Sequence, residues 1–168
     1  MRLIIIRHAI AAARGTPGIP EAERPLTPEG EGRFEQAARG LAHILPPPHA
    51  ILTSPLLRAR RTAEIAAEAW GGPDPVDEGA LADGDPEALS EALAPYPADA
   101  AVALIGHEPH VSDLLASLIG AESGGPLAFK KGGVACVEIE GPLEKGGRLR
   151  WFMPPKVLRK LAALRSSQ

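Results

Sequence analysis

Short apolar runs alternate along the chain with longer segments in which apolar residues recur three or four positions apart. The runs have the length of strands buried on both faces, and the longer segments have the period of amphipathic helices. Thr27-Pro28 and Ser54-Pro55 each combine a capping residue with a proline at the first helical position. These patterns predict strands at residues 2–7, 50–53 and 101–105, and helices at residues 28–45, 55–70 and 110–119, with a short helix from residue 86.

The C-terminal third has a different pattern. Residues 133–140 and 148–152 predict two strands of a hairpin, and Pro154-Pro155 leads into a basic C-terminal helix. Residues 11–26 and 73–84 are predicted to be loops. Alternating strands and helices followed by a hairpin favour an α/β fold with a largely parallel, mixed sheet.

Composition and charge narrow the function classes. A chain of 168 residues with 45% apolar and 23% charged residues is typical of one soluble domain, predicted to span residues 1–168. The net charge of −3 argues against nonspecific nucleic-acid binding or a polybasic membrane surface.

The only cysteine, Cys136, lies in an apolar run and is interpreted as a buried hydrophobe. The first apolar run is too short for a signal peptide, which favours the cytoplasm. The absence of Asn and the abundance of Pro fit a thermophile, although a GC-rich genome predicts a similar composition.

Three distant segments follow the three predicted parallel strands directly. Arg7 and His8 follow the first, Ser54 to Arg58 the second, and Gly106 to Pro109 the third. Because groups beyond the carboxyl ends of parallel strands line one crevice, we expect these segments to converge. Arginine forks and helix N-termini both bind phosphate oxygens, so the crevice is predicted to take a phosphoryl group.

The histidines indicate how such a group would react. No carboxylate cluster with the spacing of a magnesium site accompanies them, and a neutral imidazole can attack phosphorus itself. His107 and His110 are three residues apart, a spacing that can ligate zinc, but no third and fourth ligands are evident. No metal and no cofactor are therefore predicted.

Four motifs together resemble the histidine phosphatase superfamily. Residues 7–9 are similar to its Arg-His-Gly signature, with Ala9 in place of Gly, and residues 24–30 to the segment that opens its first helix. Residues 53–63 resemble its Ser-Pro-x-x-Arg-Ala-x-x-Thr segment, and residues 106–109 its second histidine motif.

The resemblance implies a phosphoglycerate mutase-like three-layer sandwich with helices on both faces of the sheet. It further implies that His8 is the phosphorylated nucleophile and that Arg7, Arg58 and His107 complete the phosphate pocket. Within the superfamily, the short phosphohistidine phosphatase branch is the most similar. The glutamate motif of mutases and small-molecule phosphatases is missing around residues 77–85, which leaves Glu78 and Asp83 as weak candidates for a general acid.

The leading hypothesis is a metal-independent phosphatase that hydrolyses protein phosphohistidine through a phosphohistidine intermediate on His8, in signal transduction. Its partner would be a phosphohistidine-bearing protein, such as a phosphorelay domain. One alternative is a small-molecule phosphomonoesterase of the same fold, and another is a noncatalytic phosphate-binding module. Lys130 and Lys131 are interpreted as a polar loop, with contact to an acidic partner protein as the alternative.

Overall fold

Six strands form one mixed sheet in the computed structural model, which describes residues 1–165. Residues 166–168 of the predicted domain lie outside the described residues. The strand order is β3-β2-β4-β1-β5-β6, in which β1 to β4 run parallel and β5 pairs antiparallel with both β1 and β6. The strands are β1 (Arg2–Arg7), β2 (Ala50–Thr53), β3 (Val76–Asp77), β4 (Ala101–Gly106), β5 (Val134–Ile139) and β6 (Gly147–Met153).

Helices cover both faces of this sheet. Helices α1, α2 and α6 pack on one face, and α3, α4 and α5 pack on the other. The α/β three-layer architecture and the mixed sheet expected from the sequence are thereby confirmed. The helices are α1 (Pro28–Ile44), α2 (Leu57–Trp70), α3 (Ala80–Asp83), α4 (Pro86–Leu93), α5 (His110–Ile119) and α6 (Pro155–Arg165).

Strand β1 divides the core into two halves. Ile4 and Ile6 point into the α1/α2/α6 half, and Leu3 and Ile5 into the other, because successive strand side chains alternate between faces. All four are at most 1% exposed, which explains why the sequence of β1 is continuously apolar rather than alternating. Burial on both faces fixes β1, and with it the residues that follow its carboxyl end.

Helix α6 lies very close to α1. A Cβ on Gly40 would stand 1.9 Å from the carbonyl oxygen of Leu158, so only glycine permits this approach. The contact packs the first turns of α6 against the C-terminal half of α1.

Two predicted boundaries are wrong. Helix α2 begins at Leu57 rather than at Pro55, because the backbone of Leu56 is extended. The predicted loop at residues 73–84 contains β3 and α3. Strand β3 has only two residues, both exposed, and it forms by pairing with β2. Because it has no apolar run, the sequence pattern did not predict it. Among the described residues, no helix has both the length and the apolar character required to cross a bilayer.

Candidate active site

The two site histidines follow neighbouring parallel strands. Arg7 is the last residue of β1 and pairs in register with Gly106, the last residue of β4, so His8 and His107 emerge side by side. The backbone N–H of His8 donates to the carbonyl oxygen of Gly106 at 3.0 Å. The two imidazole rings lie with their centroids 5.0 Å apart, and both residues are buried.

The imidazole of His8 is held in one orientation. Its Nδ1 lies 2.7 Å from the carbonyl oxygen of Ala9, and because a carbonyl only accepts, Nδ1 carries the proton. Burial, with smaller contributions from the neighbouring cationic groups, lowers the pKa of His8 to about 3. At neutral pH the ring is therefore neutral, and its Nε2 carries a lone pair.

Thr62 ties the His8 loop to α2. Its hydroxyl accepts a hydrogen bond from the N–H of Ala9 at 3.0 Å and donates one to the carbonyl oxygen of Arg58 at 2.7 Å. The motif resemblance covered Thr62, but its bridging role was not predicted from the sequence. This bridge fixes the distance between the backbones that carry His8 and Arg58.

Arg7 is anchored by the loop before β5. Its Nη1 donates to the carbonyl oxygen of Phe129 at 2.5 Å, while its buried Nε has no partner among the described residues. Burial lowers the pKa of Arg7, and the carboxylate of Glu108 opposes that shift. Arg7 therefore keeps N–H donors that make no hydrogen bond within the described residues and that an incoming anion could accept from.

Arg58 is 4% exposed and lies in the first turn of α2, as predicted. Its Nη1 donates to the carbonyl oxygen of Glu21 at 2.9 Å, and its Nη2 lies 3.2 Å from the carboxylate of Glu21. Its buried Nε has no partner among residues 1–165. Burial and then the charge of Arg24 lower the pKa of Arg58. A crowded cationic pocket of this kind favours binding of a dianion.

Arg24 is a site residue that sequence reasoning did not single out. It is 8% exposed and donates to the carbonyl oxygen of Ala12 at 2.7 Å and to the carboxylate of Glu21 at 2.8 Å. Its charge acts on both Arg58 and His107. The motif at residues 24–30 begins with Arg24, but the predicted loop around it gave no indication that this side chain is buried.

His107 faces Ser54 across the crevice. Its Nε2 lies 2.7 Å from the hydroxyl oxygen of Ser54, and its buried Nδ1 has no partner among the described residues. Burial, followed by the charge of Arg58, lowers the pKa of His107 to about 4, so this ring is also neutral at pH 7 without a bound anion. The sequence predicts Ser54 as a helix cap in a segment that lines the crevice. In the structure its hydroxyl accepts from the N–H of Leu56 and contacts His107.

The two candidate acids differ in position. Glu78 directly follows β3, is half-buried, and its backbone N–H donates to the carbonyl oxygen of Thr53 at 2.7 Å. Its carboxylate accepts from the N–H of Ala80 at 3.0 Å. Asp83 ends α3 and is exposed. Glu78 lies at the carboxyl edge of the sheet, next to the end of β2.

Metal ligation has no geometric support in the described part of the chain. No group of three or more His, Cys, Asp or Glu side chains in residues 1–165 is arranged to hold an ion. His110 is the first residue of α5 and packs against Gly84, whose added Cβ would stand 2.2 Å from the His110 Nδ1. Cys136 is buried in β5, as predicted.

Comparison with known sequences assigns the family. The model of the histidine phosphatase superfamily, branch 1, matches residues 3–85. An uncharacterized protein of a Picosynechococcus strain is 39% identical over 137 residues, which cover 80% of this chain and 82% of that protein. The chain belongs to the histidine phosphatase superfamily. The resemblance deduced from the four motifs is thereby confirmed.

Solved structures of histidine phosphatases have the same architecture. The protein histidine phosphatase SixA, in complex with tungstate, is 28% identical and superposes with a TM-score of 0.80 over 94% of this chain and 99% of that one. A protein of Agrobacterium tumefaciens, provisionally named a phosphohistidine phosphatase SixA, is 27% identical with a TM-score of 0.76 over 92% and 97% of the two chains. A mycobacterial glucosyl-3-phosphoglycerate phosphatase in complex with VO3 shares the fold, at 18% identity and a TM-score of 0.71 over 91% and 99%. Family membership and the similarity to SixA support phosphatase activity.

Proposed function

We propose that the chain is a metal-independent phosphatase that removes the phosphoryl group from phosphohistidine on a protein, with residues 1–168 as one catalytic domain. The observation that carries this proposal is the state of His8. Its Nδ1 proton is committed to the carbonyl oxygen of Ala9, and its low pKa keeps Nε2 free of a proton. A neutral, oriented imidazole beside two arginines with unused donors is a nucleophile for phosphorus.

The reaction proceeds in two steps through His8. Nε2 attacks phosphorus, the N–P bond of the substrate breaks, and the substrate imidazole leaves with the electron pair. Arg7, Arg58 and His107 stabilise the three equatorial oxygens, and the dianion raises the proton affinity of His107. Water then attacks the phosphorus of phospho-His8, the N–P bond to Nε2 breaks, and His8 recovers its lone pair. Over both steps the hydroxyl of that water ends on phosphate, and its proton ends on the departed imidazole.

The leaving group distinguishes phosphohistidine from a phosphomonoester. An alkoxide needs a strong general acid, whereas imidazole leaves more readily. Asp83 is exposed, and the carboxylate of Glu78 is engaged with the backbone of Ala80. The sequence similarity to SixA, a protein histidine phosphatase whose structure holds the oxyanion tungstate, supports the same substrate class here.

A small-molecule phosphomonoesterase is the second candidate function. The observation in its favour is the position of Glu78, which follows β3 and is bonded through its N–H to the end of β2 beside Ser54. A shift of this carboxylate away from Ala80 would bring a proton donor to the rim of the crevice.

A substrate panel separates the two candidates. We expect kcat/KM for a phosphohistidine-bearing phosphotransfer domain to exceed that for sugar, nucleotide and glycerate phosphomonoesters by about 10² or more, because only the former supplies a good leaving group. His8→Ala is the matched control for contaminating phosphatases. A preference for any phosphomonoester over phosphohistidine would contradict the proposed function.

A further inference from the structure

Cationic side chains surround a cavity of about 320 Å³ that adjoins the His8 loop. Its floor includes Ala9 and Ile10, which directly follow His8, together with Gly132 and Phe34. The N–H of Gly132 lies 3.1 Å from the carbonyl oxygens of both Arg7 and His8. We name this feature the basic groove, with the cationic lining residues Arg33, Lys130, Lys131, Lys156 and Arg159.

The fold collects these cations from three separate segments. Arg33 comes from the first turns of α1, Lys130 and Lys131 from the loop before β5, and Lys156 and Arg159 from the start of α6. Strand β6 runs parallel to β1, because both pair antiparallel with β5. The start of α6 therefore lies at the same edge of the sheet as His8. A chain with a net charge of −3 thus concentrates five cations beside its nucleophile.

Most of these charges are not neutralised by ion pairs within residues 1–165. Arg33 pairs with Glu29 at 2.7 Å. Among the described residues, no ion pair involves the other four, three of which are exposed lysines. The lysine ammonium groups lie in solvent beside an apolar floor. Such an arrangement favours binding of an extended anionic surface over binding of a single buried anion.

A cavity on the opposite face of the sheet is lined in part by carboxylates. This second cavity, of about 410 Å³, lies among α3, α4 and α5. Its lining includes the carboxylates of Asp85, Glu87, Asp113 and Glu144. The carboxylates of Asp85 and Asp113 lie beside the start of α5 on one side of the crevice, and the cations lie on its α1/α6 side. Such a dipole admits an acidic partner in one orientation and repels the reverse one.

We propose that the basic groove docks an acidic face of the protein that carries the phosphohistidine, which extends the proposed function to the recognition of its substrate. Continuity with the His8 loop favours a protein partner, because a phosphohistidine within reach of Nε2 brings its flanking surface onto Ala9, Ile10 and Gly132. The groove raises the rate at which the phosphorylated protein associates with the enzyme, and it stabilises the complex. It adds nothing to the attack on phosphorus.

Charge reversal at two exposed positions tests this docking. Lys131→Glu/Lys156→Glu alters two segments of the groove and none of the site residues. Lys145→Glu/Arg148→Glu, at the opposite edge of the sheet, changes the net charge equally and is the matched control. Each protein is assayed on three substrates: an acidic phosphotransfer domain phosphorylated on histidine, a basic histone phosphorylated on histidine, and free phosphohistidine.

We expect the groove variant to lose about tenfold or more in kcat/KM on the acidic domain at low salt, with most of the loss vanishing at about 0.5 M NaCl. Its activity on free phosphohistidine stays at the wild-type level, and its activity on the histone does not fall. The control variant keeps at least about a third of wild-type kcat/KM on all three substrates.

Two outcomes overturn the docking proposal while leaving the proposed function intact. One is equal loss on the acidic domain and on free phosphohistidine, and the other is equal loss in the groove and control variants. A third outcome would instead assign the groove to a membrane. In it, wild type binds anionic phosphatidylserine vesicles and the groove variant does not, while both proteins turn over the acidic domain equally. No wild-type turnover of any phosphohistidine substrate would overturn the proposed function itself.

Discussion

The carboxylate of Glu108 accepts a hydrogen bond of 2.6 Å from the backbone N–H of Phe129. The carbonyl oxygen of the same Phe129 accepts from Arg7. A second oxygen of Glu108 accepts from the hydroxyl of Ser112 on α5. Glu108 thereby positions Arg7 through the loop before β5, without touching the crevice centre.

Substitution of Glu108 tests this relay. We expect Glu108→Ala to lower kcat/KM by about tenfold or more, since a lost hydrogen bond to a charged group costs about 1.5–3 kcal/mol. Glu108→Gln keeps an oxygen that accepts from Phe129 and should recover most of the loss. The oxyanion affinity, measured by vanadate inhibition, should weaken in parallel in Glu108→Ala. Equal activity of Glu108→Ala and wild type would contradict the positioning role.

Stability should fall with pH in the range where unfolded histidines become protonated. The folded pKa values of His8 and His107 are about 3 and about 4, below the ordinary value of 6.5. Between these values the unfolded chain binds more protons, so the free energy of unfolding decreases as pH falls from about 6.5. Each histidine contributes a slope of up to about 1.4 kcal/mol per pH unit.

Urea unfolding between about pH 7 and pH 5 measures this slope. His8→Ala and His107→Ala should each reduce it, whereas His43→Ala, at an exposed histidine, should leave it unchanged. A slope that is the same in wild type and in the two site variants would show that the buried histidines keep ordinary pKa values.

The role of a general acid depends on the leaving group. We expect Glu78→Gln to leave kcat/KM for phosphohistidine within about threefold of wild type but to lower any residual phosphomonoesterase activity by about 10²-fold. The amide oxygen that this substitution introduces would still accept from the N–H of Ala80, so α3 should be preserved. Asp83→Asn, which alters an exposed side chain, serves as the control. A loss of about 10²-fold on phosphohistidine in Glu78→Gln would make Glu78 an essential acid.

Activity should be independent of divalent metals. The nucleophile and the charge stabilisation both come from side chains, so no step requires a metal-bound water. Dialysis against EDTA should leave kcat for the phosphohistidine domain unchanged. Loss of activity on chelation, with recovery on addition of one divalent metal, would contradict the mechanism.

The sequence predicted the elements whose residues follow a local pattern of apolar positions or a helix-capping motif. Strand β1 is continuously apolar because both faces are buried, and α1 begins at the predicted cap, where the Thr27 hydroxyl accepts from the N–H of Gly30. The convergence of the segments after β1, β2 and β4 followed from their parallel order.

Other features depend on tertiary contacts that leave no local signal. The N–H of Ala9 is satisfied by Thr62, 53 residues away, and Arg24 is buried by a loop without periodicity. Ser54 contacts His107, and α2 begins at Leu57, so the predicted start of α2 was wrong. The basic groove joins residues from α1, the β5 loop and α6, which are far apart in the sequence.

The most direct test of the account is the location of the phosphoryl group during turnover. We expect rapid-quench trapping with a ³²P-labelled phosphohistidine domain to yield an acid-labile, base-stable phosphoenzyme, with the label on His8. His8→Ala should form none and lose about 10⁴–10⁶ in kcat, while Arg58→Ala should still form it, about 10²–10³ more slowly. Label on His107 or Asp83, with His8→Ala still turning over, would contradict the assignment of His8 as the nucleophile.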